Sequence, residues 1–201
     1  MVAPSQLLSI DNIDDKGIIV LMYHRFDENK YPSTNIKIAD FIKHLNLIKK
    51  KQFKFVNPTD FEDELVNKKK ERKILLTIDD GFRSFYEQAW PILKEEKIPF
   101  ILFVSTREVG KKGYMDWSQI KEVSKEKFAH IGNHSYSHEY LIDMNDQEII
   151  DDIKVASSNF KDNLGYNSPF FSYPFGEYSS SFKTIVKNLK FRYAFGQHSG
   201  V

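Results

Sequence analysis

The stretch KILLTIDDG, residues 73–81, runs from Ile74 to Ile78 through apolar and β-branched positions into two adjacent carboxylates and a glycine. A short apolar run closed by turn residues reads as a β-strand. Asp-Asp-Gly alone is ordinary turn chemistry, suited to capping the helix that follows. The run before it changes that reading, because a strand this apolar would deliver both carboxylates to the mouth of a core. Working outward, similar runs recur as GIIVLMY (17–23), FKFVN (53–57), PFILFVS (99–105), FAHIG (128–132), PFFSY (169–173) and RYAFG (192–196). Longer amphipathic stretches lie between them, at 38–51, 58–68, 84–96, 116–126, 146–164 and 179–189. This alternation predicts a parallel α/β fold, and seven strands suggest a barrel.

The bulk numbers narrow the classes. A chain of 201 residues with 41% hydrophobic content suits one domain, 1–201. Lys plus Arg (29) nearly cancels Asp plus Glu (28), so no overall field draws the chain to nucleic acid or acidic lipid. Cysteine is absent, which removes disulfides, thiolate metal sites and thiol nucleophiles and leaves His, Asp and Glu as strong ligands. No apolar run approaches the length of a transmembrane segment, and LLSI near the start is too short for a signal-peptide core. The chain stops just after the last strand-like run, so a C-terminal portion is expected to be missing. Oligomeric state is not legible.

In parallel α/β folds the active site gathers at the carboxyl ends of the strands. Four such ends carry ionisable groups: YHRF (23–26), TIDDG (77–81), NHSYSH (133–138) and YPFGEY (173–178). His134 and His138 are four positions apart, a spacing that one helical turn would bring onto one face, although surface helices carry such pairs by chance. Asp79 and Asp80 should diverge on leaving their strand and reach different parts of one pocket. Two imidazoles and one aspartate form a divalent-metal set with an open position for water, and the remaining aspartate is free to act as a base. That combination is the chemistry of metal-assisted hydrolysis.

TIDDG, HSYSH and YPFG, in that order, resemble the first three motifs of the polysaccharide deacetylase family, the NodB-homology carbohydrate esterases. The resemblance spans roughly residues 18 to 196. It implies a distorted (β/α)7 barrel, TIM-barrel-like, that removes N-acetyl groups from an amino-sugar polysaccharide with a divalent cation, most commonly Zn2+, with Co2+, Mn2+ or Ni2+ as alternatives. By position it implies Asp79 as catalytic base, Asp80, His134 and His138 as metal ligands, and the backbone N–H of Phe175, after Pro174, as an oxyanion donor. Trp117 in YMDWSQI resembles a pocket-lining fourth motif, and an ordinary core tryptophan is an equal reading. The substrate would lie outside the cytoplasm, so export is implied.

The chain departs from the family pattern in two places. Many members carry an arginine that orients the catalytic aspartate where this chain has Ser172, so the support of Asp79 is open. FSYPFGEY, with Tyr173 beside it, is similar instead to the poly-N-acetylglucosamine deacetylase-like subgroup. The family's fifth-motif histidine, its proton donor, has no clear counterpart, which leaves His198 as a candidate by position and His24 as a rim histidine lining the site. His44 is expected to be solvated and His130 to be satisfied within its strand. These departures keep two alternatives open: a catalytically silent carbohydrate-binding protein, and a hydrolase of a non-peptide amide in a small molecule.

Overall fold

The computed structural model describes residues 17–66 and 71–197. Nine strands and six helices follow in chain order: β1 (Ile18–Tyr23), β2 (Arg25–Phe26), β3 (Asn35–Ile36), α1 (Ile38–Lys50), β4 (Lys54–Phe55), α2 (Phe61–Val66), β5 (Lys73–Ile78), α3 (Trp90–Glu96), β6 (Phe100–Val104), α4 (Trp117–Val123), β7 (Ala129–Asn133), α5 (Asp146–Leu164), β8 (Phe170–Ser172), α6 (Ser180–Asn188) and β9 (Tyr193–Phe195). Every strand and helix expected from the sequence is present. The small parallel pair of β2 and β3 was not foreseen, because two-residue strands carry no periodicity.

β1, β5, β6, β7, β8 and β9 form one parallel sheet in that order, with β4 beside the first residues of β5. Each connection crosses back through a helix, as parallel strands require. The sheet curls into the expected distorted (β/α)7 barrel. Among the described residues no ladder joins β9 back to β1, so the barrel is open along that seam.

Side chains alternate across each strand, and here the alternation sorts two cores. Leu76, Ile78, Phe100, Leu102, Val104 and Ile131 face outward onto Phe41 and Leu45 of α1, Leu93 of α3 and Ile120 of α4. Phe171 and Tyr173 pack outward on α5 and α6 through Ile149, Ile153, Phe182 and Ile185. The opposite parity, Leu75, Ile101, Phe103 and Phe170, fills the barrel interior together with Tyr193 and Phe195. The helices are capped as their first residues suggest: Asp116 and Asn145 close capping boxes on α4 and α5, and Ser179 accepts from the Phe182 N–H at the start of α6.

Interior space is tightest at Gly132. A Cβ built there would lie 2.2 Å from Phe103 Cδ1 and 3.1 Å from Ile101 Cγ2, so the glycine makes room for the ring that fills the barrel beneath His134. Gly132→Ala should therefore destabilise the fold by about 2 kcal/mol through overpacking, read as a lower urea midpoint at unchanged m-value.

Candidate metal centre

The interior parity continues past the strand ends. Thr77 and Asp79 follow Leu75 on β5, His134 follows His130 and Gly132 on β7, and Ser172 follows Phe170 on β8. His24 follows Met22 of β1. His24, Asp79, His134 and Ser172 thereby reach the carboxyl-end mouth of the barrel, where all four line one cavity of about 1450 Å³ along the β1–β9 seam. Asp80 takes a left-handed turn, φ 75°, which swings its carboxylate away from that of Asp79.

His134 and His138 do meet, but not on a helix. The segment after β7 is a loop in which Ser135 (φ 68°) and His138 (φ 52°) are both left-handed, and it folds back to bring the two rings to 4.8 Å. The loop's own amides are tied down. The Asn133 side chain accepts from Ser135 N–H at 2.8 Å, Ser135 Oγ accepts from His138 N–H at 2.9 Å, and the Asp152 carboxylate on α5 accepts from Tyr136 N–H at 2.7 Å and Ser137 N–H at 3.0 Å. The helical reading of the spacing is thus corrected: polar side chains and two strained residues build the pair, not a helical period.

Asp80 Oδ1 lies 3.5 Å from His134 Nε2 and 3.1 Å from His138 Nε2, and the three donor atoms fall within 4.8 Å of one another. His134 Nδ1 is 2.8 Å from the carbonyl oxygen of Ser172. A carbonyl only accepts, so Nδ1 carries the proton and the neutral ring presents a bare Nε2 to Asp80. Two acceptors facing each other in a buried site need a cation between them. Without a metal that cation is a proton: burial opposes the charge on His134, yet Asp80 and Asp79 outweigh it and raise its pKa. Burial likewise opposes charge on Asp80, but the hydrogen bonds from both imidazoles hold its carboxyl far below the usual range. The donor set therefore fits a divalent ion.

Asp79 stands apart from this set. Its Oδ2 is 3.8 Å from His134 Nε2 and accepts a 3.0 Å hydrogen bond from Ser172 Oγ, while Oδ1 is buried without a partner in the protein. Burial raises the Asp79 pKa above the ordinary carboxylate value, against the opposing influence of His134, His24 and the Ser172 hydroxyl. Ser172 thus supports both Asp79 and His134, which answers the question its place in the sequence left open.

The remaining candidates divide. Tyr173 lines the cavity and its burial pushes its hydroxyl up to about 12, while Pro174 is buried and opens the turn without lining the cavity. Phe175 has φ 57° and is 54% exposed, with its ring 5.0 Å from that of His138. Trp117 takes the other of its two readings: its indole starts α4, packs against the outer core edge-on to Phe160, and is absent from the cavity wall. His198 lies outside the described residues. His130 is satisfied by Asn57 at 2.9 Å, as expected, but His44, though exposed, is not merely solvated, because its Nδ1 hydrogen-bonds the Tyr23 hydroxyl at 3.1 Å. Asp152 was missed, since nothing near it in the sequence ties it to a loop 15 residues upstream.

A family model described as polysaccharide deacetylase matches residues 66–194. A putative polysaccharide deacetylase of Bacillus subtilis, YxkH, is 24% identical over 162 residues, covering 80% of this chain and 57% of that protein. A poly-beta-1,6-N-acetyl-D-glucosamine N-deacetylase of Staphylococcus aureus is 23% identical over 178 residues, covering 80% and 60%. The chain thus spans a little under three fifths to three fifths of the length of these curated relatives. Among solved structures, IcaB from Ammonifex degensii superposes with a TM-score of 0.80 at 27% identity, covering 88% of this chain and 82% of that one.

Because Asp152 orients the histidine loop without touching the three donors, Asp152→Ala should weaken divalent-metal affinity by about 10–100-fold. Calorimetric titration of metal-free protein measures this, and unchanged affinity would remove Asp152 from the centre's support.

Proposed function

We propose that this chain, which belongs to the polysaccharide deacetylase family, is a metal-dependent hydrolase that removes N-acetyl groups from an N-acetylglucosamine polysaccharide. The observation that carries the reading is the division of labour at the barrel mouth. Three donors converge on one point, and a separate buried carboxylate stands beside them with one oxygen unpartnered. Asp80, His134 and His138 would hold the ion, and two imidazoles with one carboxylate suit Zn2+ best, with Co2+, Mn2+ or Ni2+ as substitutes. When bound, the ion supplies Lewis acidity toward an attacking water and the acetamide carbonyl.

The chain's own residues do the rest. Asp79, with its pKa raised by burial, is a stronger base than an exposed aspartate and takes the proton of the attacking water on its free Oδ1; as the C–N bond breaks, that proton is the one available to the leaving amine. Ser172 keeps the other oxygen in place through its 3.0 Å hydrogen bond. The backbone N–H of Phe175, which sits in a left-handed turn, would donate to the oxyanion that develops on the carbonyl. His24 and Tyr173 line the pocket beside the base. The alternative of a silent carbohydrate binder rests on Ser172 leaving Asp79 unsupported and on the missing proton donor for the leaving amine; the Ser172–Asp79 hydrogen bond speaks against the first ground, and acetate release tests the second.

The S. aureus relative is named for poly-beta-1,6-N-acetyl-D-glucosamine, which makes that polymer the first substrate to test. A substrate of this kind lies outside the cytoplasm, so the protein acts after export. No helix among the described residues is long and apolar enough to cross a membrane.

Acetate release from β-1,6-linked N-acetylglucosamine oligomers, measured at saturating Zn2+, is the direct test, and its absence would favour a binding role. Asp79→Asn should retain the metal yet lose turnover by about 10²–10⁴-fold, whereas His134→Ala should lose both. Ser172→Ala should lower kcat by about tenfold, the weight of one hydrogen bond to a charged group. Failure of metal-free protein to bind any divalent ion in calorimetry would defeat the proposal.

A further inference from the structure

Two aromatic rings stand at the cavity's edge, Phe175 lining it and Tyr140 just outside it. Phe175 and Tyr140 are 54% and 41% exposed, large values for aromatic side chains that could have packed inward. Their ring centroids are 5.5 Å apart in an edge arrangement, and the inner ring, Phe175, is in turn 5.0 Å from His138. The three rings therefore form a continuous series running from the candidate metal ligand out to solvent.

The backbone accounts for the exposure. Phe175 occupies a left-handed conformation that non-glycine residues seldom adopt, and this turns its ring away from the core that takes Tyr173. Tyr140 lies two residues beyond His138, where the chain leaves the metal loop, and its ring packs edge-on against that of Phe175. The contact joins the loop that carries His138 to the turn that carries Phe175. Among the described residues both rings stay exposed, and their contacts with each other and with His138 hold them in place.

An exposed, fixed aromatic face beside a hydrolytic centre suits the apolar face of a pyranose, whose C–H groups pack on a π surface while its hydroxyls stay solvated. On the reading of this site as a polysaccharide deacetylase, we infer that Tyr140 is a substrate-positioning residue that stacks on the sugar next to the one whose acetamido group enters the metal site, with Phe175 between them. The occupant is a chain of N-acetylglucosamine residues, because the platform is continuous with the cavity wall through Phe175. Tyr140 touches no reacting atom. It contributes to holding the polymer, and so to KM for oligomers, rather than to the chemical step.

The test is equilibrium binding of a β-1,6-linked N-acetylglucosamine pentamer to zinc-loaded Asp79→Asn protein, with and without a second change at Tyr140. Tyr140→Ala should weaken binding by about tenfold, while Tyr140→Phe and Tyr140→Trp, which keep the ring, should stay within about twofold of the parent. Melting temperatures check that each variant is folded, which the exposure of Tyr140 favours. The inference is overturned if Tyr140→Ala binds like its parent, if the parent does not bind the pentamer, or if Tyr140→Phe is as weak as Tyr140→Ala. That last result would assign the effect to the hydroxyl rather than to the ring. Acetate release by the unmutated protein is scored separately. Release with no role for Tyr140 in binding keeps the deacetylase reading and removes this inference, and ring-dependent binding without release does the reverse.

Discussion

The arrangement at the barrel mouth depends on Ser172. From the end of β8 its hydroxyl donates to Asp79 and its carbonyl accepts from His134 Nδ1, so one residue orients the base and sets the tautomer of a candidate metal ligand. Both bonds are buried, where an unmade hydrogen bond costs most. A side chain of different length would not preserve this double contact unless the strand moved. The strand is held by its ladder to β9 and by the packing of Phe171 on α6.

Charge completes the constraint. Asp79 and Asp80 are adjacent in the chain and both lie in a poorly solvated pocket, yet their environments push them in opposite directions. Asp80 faces two imidazoles and is held ionised, while Asp79 is dominated by burial and is driven toward a higher pKa. The left-handed turn at Asp80 produces the split, because it sends one carboxylate to the histidines and leaves the other on the barrel axis. Separated pKa values in neighbouring carboxylates are how a site assigns one to bind and the other to exchange protons.

Much of this was legible in the chain. The strands and helices followed from apolar runs and amphipathic stretches, and the site residues followed from asking which polar groups close each run. Strand parity could have gone further: the two-residue period that buries Leu75 and Thr77 inside the barrel also places Asp79 there, and likewise His134 above Gly132. What misled was a helical spacing imposed on His134 and His138. A four-residue interval has the same appearance in a helix and in a tight loop, and the Ser-rich composition of HSYSH was the local signal for the loop. Trp117 was equally balanced between two packings, because an indole at a helix start has the same sequence signature whether it faces a core or a pocket.

The sequence by itself determined the parallel α/β class, the end of the barrel at which chemistry collects, and the donor types available, since these depend on local periodicity and on side-chain identity. Only the tertiary structure decided that Ser172 is the partner of Asp79, that Asp152 reaches back from α5 to brace the histidine loop, and that Tyr140 and Phe175 share one exposed face. Each of these joins residues far apart in the chain or on separate loops, and hydrogen bonds across such separations leave no periodic trace in the residues that make them.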